Sequence, residues 1–175
     1  MRTITRLQCY CLVVAGLIAQ LLFVNALAVF GTRPDLLFVL VVFFGLFGPK
    51  GMAREAGIAA GFLKDLFGTD PFGVMIITYA AVGYFVETIA PRFFRESPIT
   101  QFFVTFTSYL LSAAVYTAAK IACVGPTGSG AGLLAGRLSM FTAVALPTAL
   151  YTSLIAVIVF SWMMRVYNFK ETALI

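Results

Sequence analysis

Near the start of the sequence, 24 consecutive residues, Leu7 to Phe30, carry no charge and follow Arg2 and Arg6. A helix of this length crosses the roughly 30 Å hydrocarbon core of a bilayer at about 1.5 Å per residue. The basic start and the small residues Ala26-Leu27-Ala28 also fit a secretory signal peptide. The run is longer than the roughly 7 to 15 residues of a signal-peptide core. We therefore predict that it is retained as a first transmembrane helix.

Five more apolar runs follow, separated by short stretches that hold most of the charged residues. Six of the seven prolines fall at the boundaries between runs, where a residue without a backbone N–H ends a helix. We predict an all-α integral membrane protein with six transmembrane helices in one domain, residues 1–175. The predicted segments cover about residues 7–30, 36–48, 52–68, 72–90, 99–119 and 138–164.

The second segment, Leu36 to Gly48, has only 13 residues, fewer than the roughly 20 of a transmembrane helix. It either borrows flanking residues, crosses a locally thin region, or forms half of a re-entrant hairpin with the third segment. A hairpin that enters from the outer face would carry Lys50 and Arg54 into the bilayer, which argues against it. Whether these two segments span fully stays open.

Composition excludes several functions. Charged residues make up 11% of the chain, about half the fraction of a soluble domain. The chain has no His, which excludes His-dependent catalysis and His-ligated metal sites, and its dilute basic charge argues against nucleic acid binding. Cys9, Cys11 and Cys123 have neither disulfide nor metal spacing and are interpreted as packing residues.

Nothing in the sequence indicates an enzyme or a cofactor. Residues Gly128 to Ala135 contain a Gly-x-Gly-x-x-Ala pattern like that of a dinucleotide-binding loop. Neither the preceding strand nor the following acidic residue of such a loop is present, so we interpret it as a flexible outer connection. There is also no Ser-His or Cys-His arrangement and no convergent pair of carboxylates.

Lys and Arg distribute unequally between the two sides of the predicted bundle. With the N-terminus in the cytoplasm, eight lie on the inner side and three, Arg33, Lys120 and Arg137, on the outer side. Lys64 lies within a segment. The positive-inside rule therefore predicts that both termini are cytoplasmic. The inner excess also suits contact with the anionic lipid leaflet of the bilayer.

The third segment carries small residues at every fourth position. Ala53, Gly57 and Gly61 share one helix face, and the same face ends in Asp65. Small residues at this spacing let helices approach closely in lipid. The face predicts either internal helix packing or a docking face for a transmembrane helix of a partner, and both interpretations stay open.

Five charged residues are expected near the outer ends of the first four segments: Arg33, Asp35, Lys64, Asp65 and Asp70. A carboxylate within a membrane is costly unless it contacts protein or water, so Asp65 needs a partner. Arg33 is the preferred one, because the adjacent residues Lys64 and Asp65 do not face each other on a helix. The five form either a functional outer polar cluster or a set of interfacial charges that reach water.

Two stretches resemble a known family. Pro34-Asp35-Leu36-Leu37 enters a short apolar run, and Gly57 is followed by Gly61-Phe62-Leu63-Lys64-Asp65-Leu66 and then by Gly73. Together with the length and the six apolar segments, these stretches resemble the rod shape-determining protein MreD family over the whole chain. Many relatives carry Gly-Leu-Leu-x-Asp where this chain has Gly61-Phe62-Leu63-Lys64-Asp65, which is a small departure.

The resemblance implies a non-enzymatic inner-membrane component of the bacterial elongation machinery. Such proteins associate with the bitopic protein MreC and, with it, link MreB filaments to the enzymes that synthesise peptidoglycan. The family is also similar in fold to the substrate-binding subunits of energy-coupling-factor vitamin transporters. The alternative function is therefore a small-molecule binder whose outer loops close over a ligand. A homo-oligomer is left open.

Overall fold

A computed structural model of the protein describes residues 6–23, 34–68, 71–92, 97–124 and 145–167. Within these ranges 91% of the residues are helical and there is no strand. A short 3-10 turn, Ala90–Arg92, extends the fourth helix. The six α-helices are α1 (Arg6–Phe23), α2 (Leu36–Phe47), α3 (Met52–Phe67), α4 (Val74–Ile89), α5 (Pro98–Val124) and α6 (Leu146–Tyr167).

Each predicted segment corresponds to one helix, which confirms the all-α prediction. Three stretches are long and apolar enough to cross a membrane: Val74–Arg92, Pro98–Ala122 and Leu146–Arg165. The helices α1 and α2 are apolar but shorter within the described residues, and α3 is not among the candidate spans. Residues 24–30 and 138–144 of the predicted segments lie outside the described ranges. The described residues thus support three spanning helices of the six predicted.

The short helix α2 is enclosed by protein. Ten of its twelve residues are buried, and it packs against all five other helices. A helix that is apolar around its whole circumference has no face suited to water, and here the neighbouring helices surround it. Twelve residues extend only about 18 Å, less than the hydrocarbon thickness. The apolar character of this segment therefore reflects burial within the bundle.

Successive helices run in opposite directions, so their ends gather at two ends of the bundle. Where α1 begins, Arg6 contacts Glu55 near the start of α3. At the opposite end, Asp35 before α2 contacts Lys64 near the end of α3. We call the first the basal end and the second the pocket end, because a large cavity lies beside Asp35 and Lys64.

The outer surface of the bundle is apolar. Helix α1 buries Cys9, Val13 and Leu17, which follow one another at four-residue spacing. Cys11 lies on the exposed side, so the two cysteines face different directions. Large apolar side chains are likewise exposed on the other helices, including Ile77, Phe103, Ile158 and Trp162. Such extensive exposed apolar surface is expected where the surrounding medium is hydrocarbon.

Candidate functional site

The start of α2 places a carboxylate at the pocket end. Asp35 is the N-cap residue of α2, and its Oδ1 accepts a hydrogen bond of 3.1 Å from the backbone N–H of Phe38. Its Oδ2 accepts hydrogen bonds from the Nζ of Lys64 and from the hydroxyl of Tyr79. The residue is 8% exposed. One buried carboxylate therefore joins α2, α3 and α4.

Lys64 approaches this carboxylate from the end of α3. Its side chain is 24% exposed, and its Nζ lies 5.2 Å from the centre of the Tyr79 ring, a cation–π distance. Removal of either member of such an enclosed ion pair is expected to destabilise the protein, because the remaining charge is poorly solvated. The structure thus brings together Asp35 and Lys64 from the predicted outer polar cluster, and it adds Tyr79.

A cavity of approximately 550 Å³ lies beside Asp35, Lys64 and Tyr79. This volume is in the range of small-molecule sites. On the far side of the cavity, the Nζ of Lys120 donates a hydrogen bond of 3.0 Å to the hydroxyl of Tyr116. The lining combines one carboxylate and two ammonium groups with hydroxyl and apolar side chains; its further members include Phe38, Met75, Thr78, Tyr109, Ser112 and Thr117.

Asp65 serves a different purpose from Asp35. Its carboxylate accepts hydrogen bonds from the backbone N–H groups of Gly73 (2.9 Å), Met75 (3.2 Å) and Ile76 (3.2 Å), which belong to the start of α4. The first N–H groups of a helix have no partner within that helix, and a negative charge is favourable there. The N-cap residue of α4 is Gly73, at a φ of 99°, which has no side chain to accept these bonds. Asp65 therefore caps α4 from the neighbouring helix.

The expected pairing of Asp65 with Arg33 stays a prediction, because Arg33 lies outside the described residues. Both carboxylate oxygens of Asp65 accept bonds from α4, and the side chain is held at the α3–α4 contact. Lys64 contacts Asp35 instead. Arg33 and Asp70, the remaining members of the predicted cluster, lie outside the described residues, as does the glycine-rich stretch 128–135.

The small-residue face of α3 packs against α4. A Cβ atom at Gly57 would collide with the backbone carbonyl of Tyr79, and one at Gly61 would lie 2.6 Å from the Cα of Ile76. From the other side, a Cβ atom at Gly83 of α4 would collide with the carbonyl of Ala53. Glycine is therefore required at these positions because the two backbones touch.

The candidate docking face, Ala53, Gly57, Gly61 and Asp65, is thus buried within the chain. This burial agrees with internal helix packing, which is one of the two interpretations that the sequence left open. A partner's transmembrane helix would have to displace α4 to reach this face. The close approach that small residues permit is already used by α3 and α4.

At the basal end, both described carboxylates are paired within the chain. Glu87 accepts hydrogen bonds from the backbone N–H of Gly51 and, at 3.0 Å, from the Nε of Arg54. Glu55 forms an ion pair of 3.0 Å with Arg6. These contacts join the starts of α1 and α3 to the end of α4. Within the described ranges, no three His, Cys, Asp or Glu side chains are close enough to hold a metal ion.

Sequence reasoning missed Tyr79 and Tyr109, although both line the cavity. Each lies well inside an apolar run, whereas tyrosine in membrane helices is typical of the interface with water. A buried Tyr hydroxyl usually finds a hydrogen-bond partner, so a tyrosine at this depth indicates a polar neighbour. The two tyrosines in the middle of apolar runs are therefore the sequence signal that could have located the cavity.

The fold, the apolar surface and the paired interior charges define a small polytopic helical membrane protein, with a cavity at one end that is lined by charged, hydroxyl and apolar side chains. The model of the family described as rod shape-determining protein MreD matches residues 1–170 of the 175-residue chain. The chain belongs to the MreD family, which confirms the family resemblance that the sequence indicated. Comparisons with curated proteins and with solved structures give no match.

Proposed function

We propose that this chain is a non-enzymatic component of the rod shape-determining complex in the bacterial inner membrane. It connects MreC and the MreB cytoskeleton to the enzymes that synthesise peptidoglycan. Membership of the MreD family is the observation that carries the proposal. The described charges support a role through contact, because Asp35, Glu55, Asp65 and Glu87 are engaged in ion pairs and helix caps.

The proposed orientation has both termini and the basal end in the cytoplasm. Exposed cations support it, because the described residues place most of them at the basal end, as the positive-inside rule requires. They are Arg6, Lys50, Arg54, Arg92 and Arg165. The pocket end, with Lys64 and Lys120, then faces the outer side. A partner that contacts the cavity approaches from that side.

The proposal is tested in the bacterium that carries this gene. Depletion of the protein should turn rods into round cells, and a tagged copy purified in mild detergent should retain MreC. Re-expression of the wild-type chain from a second locus provides the control and should restore the rods. Normal rod shape after depletion, with no MreC in the purified sample, would contradict the proposal.

The alternative, a substrate-binding membrane subunit of an energy-coupling-factor vitamin transporter, stays a prediction from the resemblance, as does the fold similarity to such subunits. It requires a bound small molecule and a transporter ATPase as partner. Protein purified without added ligand would then carry a vitamin-like molecule, and genes for ATPase subunits would neighbour its own. Those two results together would replace the scaffold function.

A further inference from the structure

Two buried hydroxyl groups, one on α5 and one on α6, have no use in the contacts described above. Ser108 of α5 and Thr152 of α6 are each 0% exposed. Within the described part of the chain, neither Ser108 Oγ nor Thr152 Oγ1 has a hydrogen-bond partner. Because a buried hydroxyl without a partner loses its hydration and gains nothing in return, each such group requires an explanation.

Neighbouring Ser and Thr hydroxyl groups form hydrogen bonds that Ser108 and Thr152 lack. Thr105 donates a hydrogen bond of 2.7 Å to the carbonyl of Gln101, and Ser153 donates one of 2.6 Å to the carbonyl of Ala149. Bonds of this kind, to the preceding turn of the same helix, are the common solution for Ser and Thr inside helices. The hydroxyls of Ser108 and Thr152 have no such bond, so each is free to bind another group.

The two residues lie at similar depth in the bundle. The helices α5 and α6 pack together in opposite directions, and a side-chain hydrogen bond between Tyr109 and Thr148 sets their register. Ser108 directly precedes Tyr109, and Thr152 follows Thr148 by about one turn. The two residues are therefore offset by only about 5 Å along the bundle axis. A shared water molecule requires the two hydroxyl oxygens to lie within about 5.6 Å of each other, which is twice a hydrogen bond of about 2.8 Å.

The position also continues the cavity. Ser112 lines the cavity and lies one turn from Ser108 on the same face of α5. Buried waters occupy polar sites where they complete otherwise unsatisfied groups. We propose that Ser108 and Thr152 share an ordered water molecule, which extends the polar lining of the cavity along α5 toward the middle of the bundle.

A double-mutant cycle on the full-length protein in detergent micelles tests this water site. The variants are Ser108→Ala, Thr152→Val and the two combined, each compared by the midpoint of thermal unfolding. Each single substitution leaves the water and the opposite hydroxyl without a partner, so we expect the midpoint to fall by about 2 to 4 °C. The double variant removes both hydroxyls and should lose less than the sum of the two.

Ser153→Ala is the matched control, because its hydroxyl is equally buried in α6 and bonds its own helix. If the two hydroxyls bind no water, each apolar replacement removes a buried unsatisfied group and should raise the unfolding midpoint. The increases in the two single variants should then add in the double variant. That result, or single-variant changes no larger than that of the control, overturns the proposal. If a variant does not accumulate, an experimental density map of the wild-type protein decides: ordered density between the two hydroxyls supports the site, and an empty, well-defined gap refutes it.

Discussion

At the scale of single residues, Asp65 shows how a membrane helix can be capped by a neighbour. Helix α4 begins after Gly73, which provides no side chain to accept hydrogen bonds from the first N–H groups of the helix. The carboxylate on α3 accepts three of the N–H groups there. The backbone carbonyl of Pro71 accepts a fourth, from Val74 at 3.3 Å. The start of α4 is therefore fully satisfied, but only while α3 stays beside it.

Replacement of Asp65 by Ala should destabilise the protein by about 1–3 kcal/mol, because three N–H groups at the partly buried start of α4 lose their acceptor. Asp65→Asn keeps an acceptor oxygen and should lie between Ala and the wild type. The measurement is the midpoint of thermal unfolding in detergent. Glu55→Ala is the control, since its ion pair with the exposed Arg6 side chain contributes little. A loss for Asp65→Ala no larger than the control's would contradict the capping role.

The pair of Asp35 and Lys64 predicts strong coupling. Lys64→Met leaves the buried carboxylate without its counter-charge, and Asp35→Asn does the same to the ammonium group, so each should cost about 3–5 kcal/mol. The double variant removes both charges and should recover most of that loss. Unfolding midpoints of the three variants check this. Simple additivity would mean that the two groups do not depend on each other.

At the scale of helices, α3 and α4 are the most closely packed pair among the described helices. Their backbones touch at Gly57, Gly61 and Gly83, and Asp65 fixes the end of one helix to the start of the other. Asp35 and Lys64 then tie α2 to this pair at the pocket end. The wall of the cavity formed by α3 and α4 is therefore built on direct backbone contact, and α5 lines it together with Ala145, which directly precedes α6.

A methyl group at Gly61 should separate this pair. Gly61→Ala forces backbone displacement in α4 and should cost about 1–3 kcal/mol despite the better helix propensity of Ala. Gly16→Ala is the matched control, because the new methyl group meets the flexible end of the Leu40 side chain. We expect a clearly lower unfolding midpoint for Gly61→Ala than for Gly16→Ala.

Co-purification of MreC with the same two variants separates internal packing from partner docking. If Gly61 only packs against α4, the Gly61→Ala protein that remains folded should retain MreC as Gly16→Ala does. A stable Gly61→Ala protein that has lost MreC would instead restore the docking-face interpretation. The comparison is made on equal amounts of folded, monodisperse protein.

At the scale of the whole molecule, helix positions were predictable because hydrophobic runs and prolines mark them directly. Leu36 to Gly48 was correctly located as a helix, yet apolarity alone does not tell lipid from protein as the neighbour, so burial of α2 was not predictable. The partners of Asp65 were hidden for another reason. They are backbone N–H groups, which no residue type identifies, and only the missing side chain at Gly73 indicates that α4 needs an external cap.

The orientation of the bundle is testable with single cysteines. In a variant whose Cys9, Cys11 and Cys123 are replaced, Phe72→Cys presents a thiol at the pocket end and Lys50→Cys presents one at the basal end. Both positions are exposed, Phe72 by 63%. The charge distribution predicts that a membrane-impermeant thiol reagent added to spheroplasts labels Phe72→Cys and spares Lys50→Cys.

Permeabilised cells are the control, and both thiols should react there at comparable rates. Labelling of Lys50→Cys alone in intact spheroplasts would invert the protein and open the cavity to the cytoplasm. The eight basic residues assigned to the inner side would then face outward, against the positive-inside rule. Under the proposed function, a partner that contacts the cavity would then have to approach it from the cytoplasmic side.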